Sequence, residues 1–186
     1  MKTPVRIGFA LALVWIIFNM ILYYAGWSIP GFQIGILVNI FLLMVSVALG
    51  VYLKRKEENW EATPFLADFK SAMQAGAIYA ITVCAFIYLY HEKIDPSIKN
   101  DLIAQRMVAI HENVPDKETY EKLQADDPAW QDKGYDDYIE IQEDITKSVI
   151  SSSSVFLFHL LGLFFFGLFY SFFAALILRK VVLRNQ

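Results

Sequence analysis

The chain has 186 residues, of which 56% are hydrophobic and 16% aromatic, and its formal net charge at pH 7 is −3. Its mean hydropathy of +0.41 lies above the range of ordinary soluble domains. The composition therefore excludes an ordinary soluble domain and indicates a membrane protein.

Four apolar stretches have the length of about 20 residues that a helix needs to cross a bilayer. Lipid offers no hydrogen-bond partners, so an open chain crosses it as helices. The sequence predicts an all-α polytopic membrane protein, with residues 1–186 forming a single four-helix transmembrane domain. The predicted helices lie at about 7–25, 34–53, 64–94 and 137–178.

The first helix is preceded by Lys2 and Arg6, as in a secretory signal peptide. However, the apolar region is too long, and Tyr23, Tyr24 and Trp27 stand where a signal has small residues. A second apolar stretch follows after "GWSIPGFQ", in which Pro30-Gly31 predicts a tight turn. Helices 1 and 2 are therefore expected to form a hairpin.

The third helix is predicted to begin with Thr63 as its N-cap and Pro64 at the first helical position. It should end before Asp95, because a residue that precedes proline avoids the helical region. At about 30 residues it is roughly 45 Å long and projects beyond the hydrocarbon core.

Residues 95–136 are predicted to form a helical extracytoplasmic insertion. Asp95-Pro96 precedes a segment with one apolar face, and Pro115–Gly134 contains turn signals that predict short helical pieces. Asp137 and Glu140 have capping-box spacing, and one helix is expected to continue from there through the Ser151–Ser154 run into the membrane. The outer ends of helices 3 and 4 should then carry the insertion. The apolar face comprises Ile98, Leu102, Ile103, Met107 and Ile110.

The distribution of charge predicts the orientation. Nine basic residues and four acidic residues lie in the N-terminal tail, the segment 54–70 and the C-terminal tail, whereas residues 91–147 contain seven basic and 15 acidic residues. Cytoplasmic segments are enriched in Lys and Arg, so both termini are expected in the cytoplasm and the loop 91–147 outside. The nine are Lys2, Arg6, Lys54, Arg55, Lys56, Lys70, Arg179, Lys180 and Arg184.

Residues that could carry chemistry are few, and we expect no enzyme, no cofactor and no metal. The single cysteine, Cys84, excludes a zinc or redox CxxC pair, and there is no glycine-rich phosphate loop or nucleophile elbow. Nucleic acid is not an expected partner, since the basic "KRK" at 54–56 lies where a helix leaves the membrane. Five loop residues could form a metal site if their two segments fold together, and the alternative is that they are solvated residues of an acidic surface. They are His91, Glu92, Asp95, His111 and Glu112.

Polar residues inside the predicted helices form one candidate site. They lie about 8 Å from the outer helix ends, so all four helices contribute to one intramembrane layer. Such groups should point inward and bond one another, which holds helices together; the alternative is an ion, proton or ligand site. Small residues in these helices are expected to allow close backbone approach, namely Gly76, Gly162, Gly167, Ala174 and Ala175. His159 is expected to hydrogen-bond in neutral form to Asn19 or Asn39. The layer comprises Asn19, Asn39, Thr82, Cys84 and His159.

Two segments carry a resemblance to a known family. They are "FLADFKSAMQAGAIYAITVCAFIYLYHEKIDPSI" and the last helix, "LLGLFFFGLFYSFFAALILRK". Both resemble a bacterial domain-of-unknown-function family of small four-helix integral membrane proteins. The resemblance implies a bacterial inner-membrane protein and brings no catalytic residues, because no activity is established for the family. The stretch Pro115–Gly134 departs from relatives, which more often pass between the two helices by a short turn.

Three functions are compatible with these features. The leading hypothesis is an interaction or scaffold subunit of the bacterial inner membrane whose acidic periplasmic loop 91–147 docks on another envelope protein. The alternative is a small transporter or channel subunit that uses the polar layer, with a homo-oligomer as its assembled form. An intramembrane enzyme is the third, and it has no nucleophile paired with a base.

Overall fold

The computed structural model describes residues 2–61 and 63–182 of the chain, and it is helical with no strand in those ranges. Arg184, counted above as a basic tail residue, lies outside them. Two π-helical turns, Tyr90–Ile94 and Leu178–Val182, and a 3-10 turn, Pro128–Trp130, accompany the α-helices. The α-helices are α1 Thr3–Tyr24, α2 Ser28–Glu57, α3 Phe65–Leu89, α4 Ser97–Asn113, α5 Lys117–Asp126, α6 Tyr135–Val149 and α7 Ser152–Ile177.

Among the described residues, four helical spans are long and apolar enough to cross a membrane, which confirms the predicted all-α polytopic class. They are Thr3–Tyr24, Ser28–Glu57, Phe65–Ile94 and Ser152–Val181. The chain divides into two compact units, one formed by 1–88 with 156–186 and the other by 89–155. We call them the bundle and the loop unit, and describe each by itself.

The bundle is built around α3, whose small residues let the other helices approach closely. Side chains on Gly8 of α1 or Gly50 of α2 would collide with Ala75, and one on Gly76 would lie 3.0 Å from Val47. Small residues at crossing points are a common way to pack helices in lipid, where van der Waals contact replaces the hydrophobic effect. Gly76 therefore has the predicted role.

Two further glycines are not needed for space. A Cβ added at Gly162 or Gly167 would meet no atom within 4 Å. The Cα of Gly167 nevertheless lies 3.9 Å from a Cβ added at Gly76, so the predicted close approach is present at Gly167, whereas Gly162 has no such contact.

The α1–α2 turn lies earlier than predicted. Its left-handed residue is Gly26, with φ 71°, and the amide of Trp27 donates to the carbonyl of Leu22 at 2.9 Å. This is the Schellman pattern that ends many helices. Pro30 and Gly31 lie in the first turns of α2, where proline is tolerated because the first amides have no helical acceptor. The predicted Pro30-Gly31 turn is therefore wrong, although the hairpin itself is present.

The predicted continuous fourth helix is interrupted. α6 ends at Val149 and α7 begins at Ser152, with a turn at 150–151. The hydroxyl of Ser151 accepts from the amide of Ser154 at 3.3 Å, so Ser151 caps α7. The expectation that the serine run is absorbed into one helix is wrong, because serine competes for backbone hydrogen bonds.

The loop unit has its own aromatic core. Tyr120 and Tyr138 are buried with Ile110 and Val114, and the ring of Trp130 meets that of Tyr138 edge-on at 4.9 Å. α4 packs on α6 through the predicted apolar face, in which Ile98 and Ile110 are buried. The predicted short helical pieces are present as α5 and the 3-10 turn.

Two caps fix the ends of the loop unit's helices. The amide of Gly134 donates to the carboxylate of Asp137 at 2.8 Å. The capping box at the start of α6 therefore lies one turn earlier than the capping box predicted at Asp137 and Glu140. Asp116 caps α5 by accepting from the amide of Thr119 at 2.8 Å, and these contacts hold the pKa of the Asp116 carboxyl below its usual value.

Candidate functional site at the charged end of the bundle

The two asparagines of the predicted polar layer hydrogen-bond to groups outside that layer. Asn39 is buried, and its amide oxygen accepts from the hydroxyl of Tyr79 at 2.8 Å. The amide nitrogen of Asn19 donates to the carbonyl of Trp15 on its own helix at 2.9 Å, and the indole of Trp15 donates to the carbonyl of Gly35 at 3.0 Å. Asn39 therefore links α2 to α3 and Trp15 links α1 to α2, whereas the bond of Asn19 lies within α1.

The other three residues of the layer differ from one another. Thr82 donates to the carbonyl of Ile78 within α3 at 2.8 Å. Cys84 is a free, fully buried thiol. His159 lies half-buried on α7, and its predicted bond to Asn19 or Asn39 stays a prediction. Tyr79, the partner of Asn39, was missed from the sequence, although a tyrosine in the middle of an apolar helix needs a hydroxyl partner.

A more strongly built site lies where four helix ends meet. The start of α1, the end of α2, the start of α3 and the end of α7 are at one end of the bundle, which we call the charged end. Thr3 donates to the carboxylate of Glu57 at 2.5 Å, which links α1 to α2. Asp68 of α3 pairs with Arg55 of α2 and with Arg179 after α7.

The turn after α2 positions this cluster. The amide of Asn59 donates to the carbonyl of Lys56 at 3.2 Å and that of Trp60 to the carbonyl of Arg55 at 3.0 Å, which is again the Schellman pattern. Asn59 and Trp60 have φ values of 48° and 61°, a region that non-glycine residues seldom adopt. Trp60 is held there by edge-on contact with Tyr52 at 5.3 Å. The reversal brings the end of α2 next to the start of α3.

Asp68 bridges two guanidinium groups. Its Oδ1 lies 3.3 Å from Nε of Arg55, and its Oδ2 accepts from Nε of Arg179 at 3.0 Å. Nη1 of Arg55 lies 3.5 Å from the carboxylate of Glu58, while Arg179 also donates to the carbonyl of Thr63. Arg55 and Asp68 are each 1% exposed and Arg179 is 32% exposed, so the charges are largely removed from water.

The geometry at Arg55 is that of an ion pair without well-aligned hydrogen bonds. None of its three guanidinium nitrogens has a hydrogen-bond partner in the described ranges. Burial of a charge costs several kcal/mol unless opposite charges compensate it, and here Asp68 and Glu58 do so. The cluster fastens α2, α3 and the end of α7 together electrostatically.

In the sequence analysis, these residues served only to predict the orientation of the helices in the membrane. Asp68 was counted as one of four acidic residues on the basic side, and Arg55 and Arg179 as membrane-flanking cations. One sequence signal did indicate an ion pair. Asp68 lies in the first turn of a membrane-spanning helix, where a carboxylate that loses contact with water needs a cationic partner.

Metal ligands are not assembled in the part of the chain that the structure describes, since no group of three or more His, Cys, Asp or Glu side chains could hold an ion there. His91 and Asp95 are buried, and Asp95 accepts from the hydroxyls of Ser97 at 2.7 Å and Tyr90 at 3.3 Å. Asp95 thus stabilises the start of α4. The five loop residues considered as ligands are not gathered into a metal site.

The four spans and the ion-paired helix ends define the class: a polytopic α-helical membrane protein. Residues 6–180 match the family described as "Protein of unknown function (DUF4199)", and the chain belongs to that family. The resemblance to a domain-of-unknown-function family is thereby confirmed. No curated protein and no solved structure matches the chain.

Proposed function

We propose that this protein is a non-catalytic interaction or scaffold subunit of a bacterial inner membrane, with the loop unit outside the cytoplasm as its docking module. In this proposal the bundle anchors the module, and the module binds a basic surface of another envelope protein. The observation that carries the proposal is that the loop unit combines its own folded core with an acidic surface.

The core of the loop unit supports a binding role over that of a linker. The hydroxyl of Tyr120 donates to the carbonyl of Lys133 at 3.0 Å, and Gln124 donates to the carbonyls of Trp130 and Gln131 at 3.0 Å each. These bonds fix the turn between α5 and α6. A flexible connection would need none of them, whereas a rigid surface loses less conformational entropy on binding a partner.

The charges of the loop unit indicate the chemistry of the partner. Residues 91–147 contain 15 acidic and seven basic residues, and three of the acidic groups are paired with lysines, at Glu92, Glu118 and Glu143. Exposed aspartates lie at the end of α5, in the segment between α5 and α6 and in the first turn of α6, at 126, 127, 132, 136 and 137. An acidic surface of this kind attracts a basic partner and raises its association rate.

The orientation is tested first, with Cys84 replaced by Ser to remove the native thiol. Single cysteines at Ser28 and Ala125 should react with an impermeant thiol reagent in intact spheroplasts, whereas a cysteine at Asn59 should react only after lysis. The opposite pattern would place the loop unit in the cytoplasm and overturn the proposal.

Docking is tested by photo-crosslinking in cells from Ala129 of the full-length chain. Replacing Asp126, Asp132 and Asp136 together by asparagine should reduce the yield of the cross-linked partner at least fivefold, and added salt should do the same in isolated membranes. The matched control changes three carboxylates elsewhere in the unit: Asp101→Asn, Glu112→Gln and Glu121→Gln.

Asp127 and Asp137 are left unchanged because they cap the 3-10 turn and α6, and their loss would disturb the fold of the loop unit. Equal yields from the two triple variants would refute docking through the 126–136 surface. A cross-link restricted to a second copy of the chain would identify a homo-oligomer and also contradict the scaffold role.

A further inference from the structure

An apolar groove lies between the later parts of α2 and α7. Its volume is about 600 Å³, which falls within the range of small-molecule sites. Hydrophobic side chains of the two helices form nearly all of its lining. They include Ala48, Leu49 and Tyr52 of α2 and Tyr170, Ala174 and Ile177 of α7.

The length of the groove indicates which kind of molecule fits it. It extends from Met44 to Tyr52 along α2 and from Tyr170 to Leu178 along α7, which is about 12 Å at the helical rise. One leaflet of a bilayer is about 15 Å deep, half of a hydrocarbon core of about 30 Å. A second transmembrane helix would contact a neighbour over a longer distance, whereas one acyl chain fits the groove.

Charge at one end of the groove indicates a headgroup. The last lining residue, Leu178, is followed by Arg179 and the exposed Lys180. Arg179 is held in place by Asp68, and Arg55 lies less than one turn beyond Tyr52. Asp68 and Glu58 offset two of the three positive charges of Arg55, Arg179 and Lys180, so this end retains a net positive charge. Basic pockets between transmembrane helices are typical sites for anionic lipid headgroups.

We propose that this groove is a binding site for one anionic phospholipid. An acyl chain lies between α2 and α7, and the lipid phosphate contacts Arg179 and Lys180 at the charged end. Arg179 is the fixed contact, because Asp68 and the carbonyl of Thr63 orient its guanidinium, while Lys180 adds a mobile charge. The site does not depend on the proposed docking role of the loop unit.

The test uses the full-length protein in neutral detergent, with phosphatidylglycerol and phosphatidylcholine of identical acyl chains as probes. Native mass spectrometry should show phosphatidylglycerol retained at least fivefold more tightly. Ala48→Phe, which fills the groove from an exposed position, should reduce retention of phosphatidylglycerol about tenfold. Lys180→Gln should lower the preference about fivefold, the equivalent of about 1 kcal/mol for one basic contact.

Two control variants separate the site from general effects of the substitutions. Ala85→Phe places the same ring at an exposed position of α3, and Lys56→Gln removes an exposed lysine that lines a different cleft, beside Thr3 and Arg6. Both should retain lipid as the native chain does. Equal retention of the two lipids, or unchanged retention in Ala48→Phe, would overturn the proposal. If Ala48→Phe converts a dimer to a monomer and leaves lipid retention unchanged, the groove is the contact site of a second copy of the chain. That result would also overturn the lipid proposal.

Discussion

Replacing Asp68 by asparagine is expected to destabilise the bundle by about 3–5 kcal/mol, because it leaves the buried Arg55 guanidinium without its main counter-charge. The two charges are 3.3 Å apart and each residue is 1% exposed. At an effective dielectric constant of about 20, their attraction is about 5 kcal/mol. Glu58 remains 3.5 Å from Arg55, but it is 37% exposed and compensates less.

The companion variants isolate the ion pair from other effects. Arg55→Met should also be destabilising, since it leaves Asp68 with Arg179 alone. The double variant should be more stable than the sum of the single effects predicts, by about 2–3 kcal/mol, because it removes both buried charges together. A matched exposed pair is Lys122 with Glu118, 3.0 Å apart and 73% and 80% exposed, so Glu118→Gln should cost less than about 1 kcal/mol.

The assay is reversible unfolding in mixed micelles, followed by circular dichroism and tryptophan fluorescence. It gives a free energy of unfolding for each variant and for the double-variant cycle. Strictly additive effects of Asp68→Asn and Arg55→Met would refute the interpretation of a coupled buried pair. Equal costs for Asp68→Asn and Glu118→Gln would show that burial does not strengthen the pair at the charged end.

Three further outcomes are expected. Tyr79→Phe should cost about 0.5–2 kcal/mol in the same assay, and the loss should be smaller when Asn39 is already leucine, because only the bond of the hydroxyl to the backbone carbonyl of residue 39 then remains. Gly8→Val should reduce the thermal stability of the bundle through its collision with α3, whereas Gly167→Ala should leave it unchanged; equal shifts would contradict the packing described. Asp116 has a lowered pKa, so its contribution to α5 should be present above about pH 4 and lost as pH falls through its folded pKa; protection factors of the α5 amides that stay unchanged from pH 6 to pH 3 would count against this cap.

The membrane-spanning helices could be predicted because their signal is local. Apolar length identified all four, and their composition needed no tertiary information. Turn positions were less predictable, since Gly26 and the pair Pro30-Gly31 are both turn signals. Only the backbone geometry decides between them. Proline in a first helical turn is as compatible with a helix start as with a turn.

The helix break at 150–151 was missed for a related reason. It contains neither proline nor glycine, and the interruption comes from Ser151, whose hydroxyl caps the following helix. Serine is tolerated inside a membrane helix and is also a good N-cap, so its type alone does not decide between the two roles.

The ion-paired cluster at the charged end was harder to predict from the sequence than the turns were. Asp68 and Arg179 are 111 residues apart, and no periodicity connects positions at that separation. The depth of polar residues along each helix correctly placed Asn39 in the interior, but depth alone does not say which faces meet. Its partner Tyr79 was therefore missed, because that residue was classed only as aromatic.

The long separation between Asp68 and Arg179 also has a consequence for biogenesis. Synthesis at about 5–20 residues per second leaves roughly 6–22 s between the addition of Asp68 and that of Arg179. During this interval the aspartate faces Arg55 and Glu58 without its second cation. The ion-paired cluster is thus completed only after the last of the four spans has been synthesised, and a chain truncated before Arg179 would keep Arg55 as the cationic partner of Asp68.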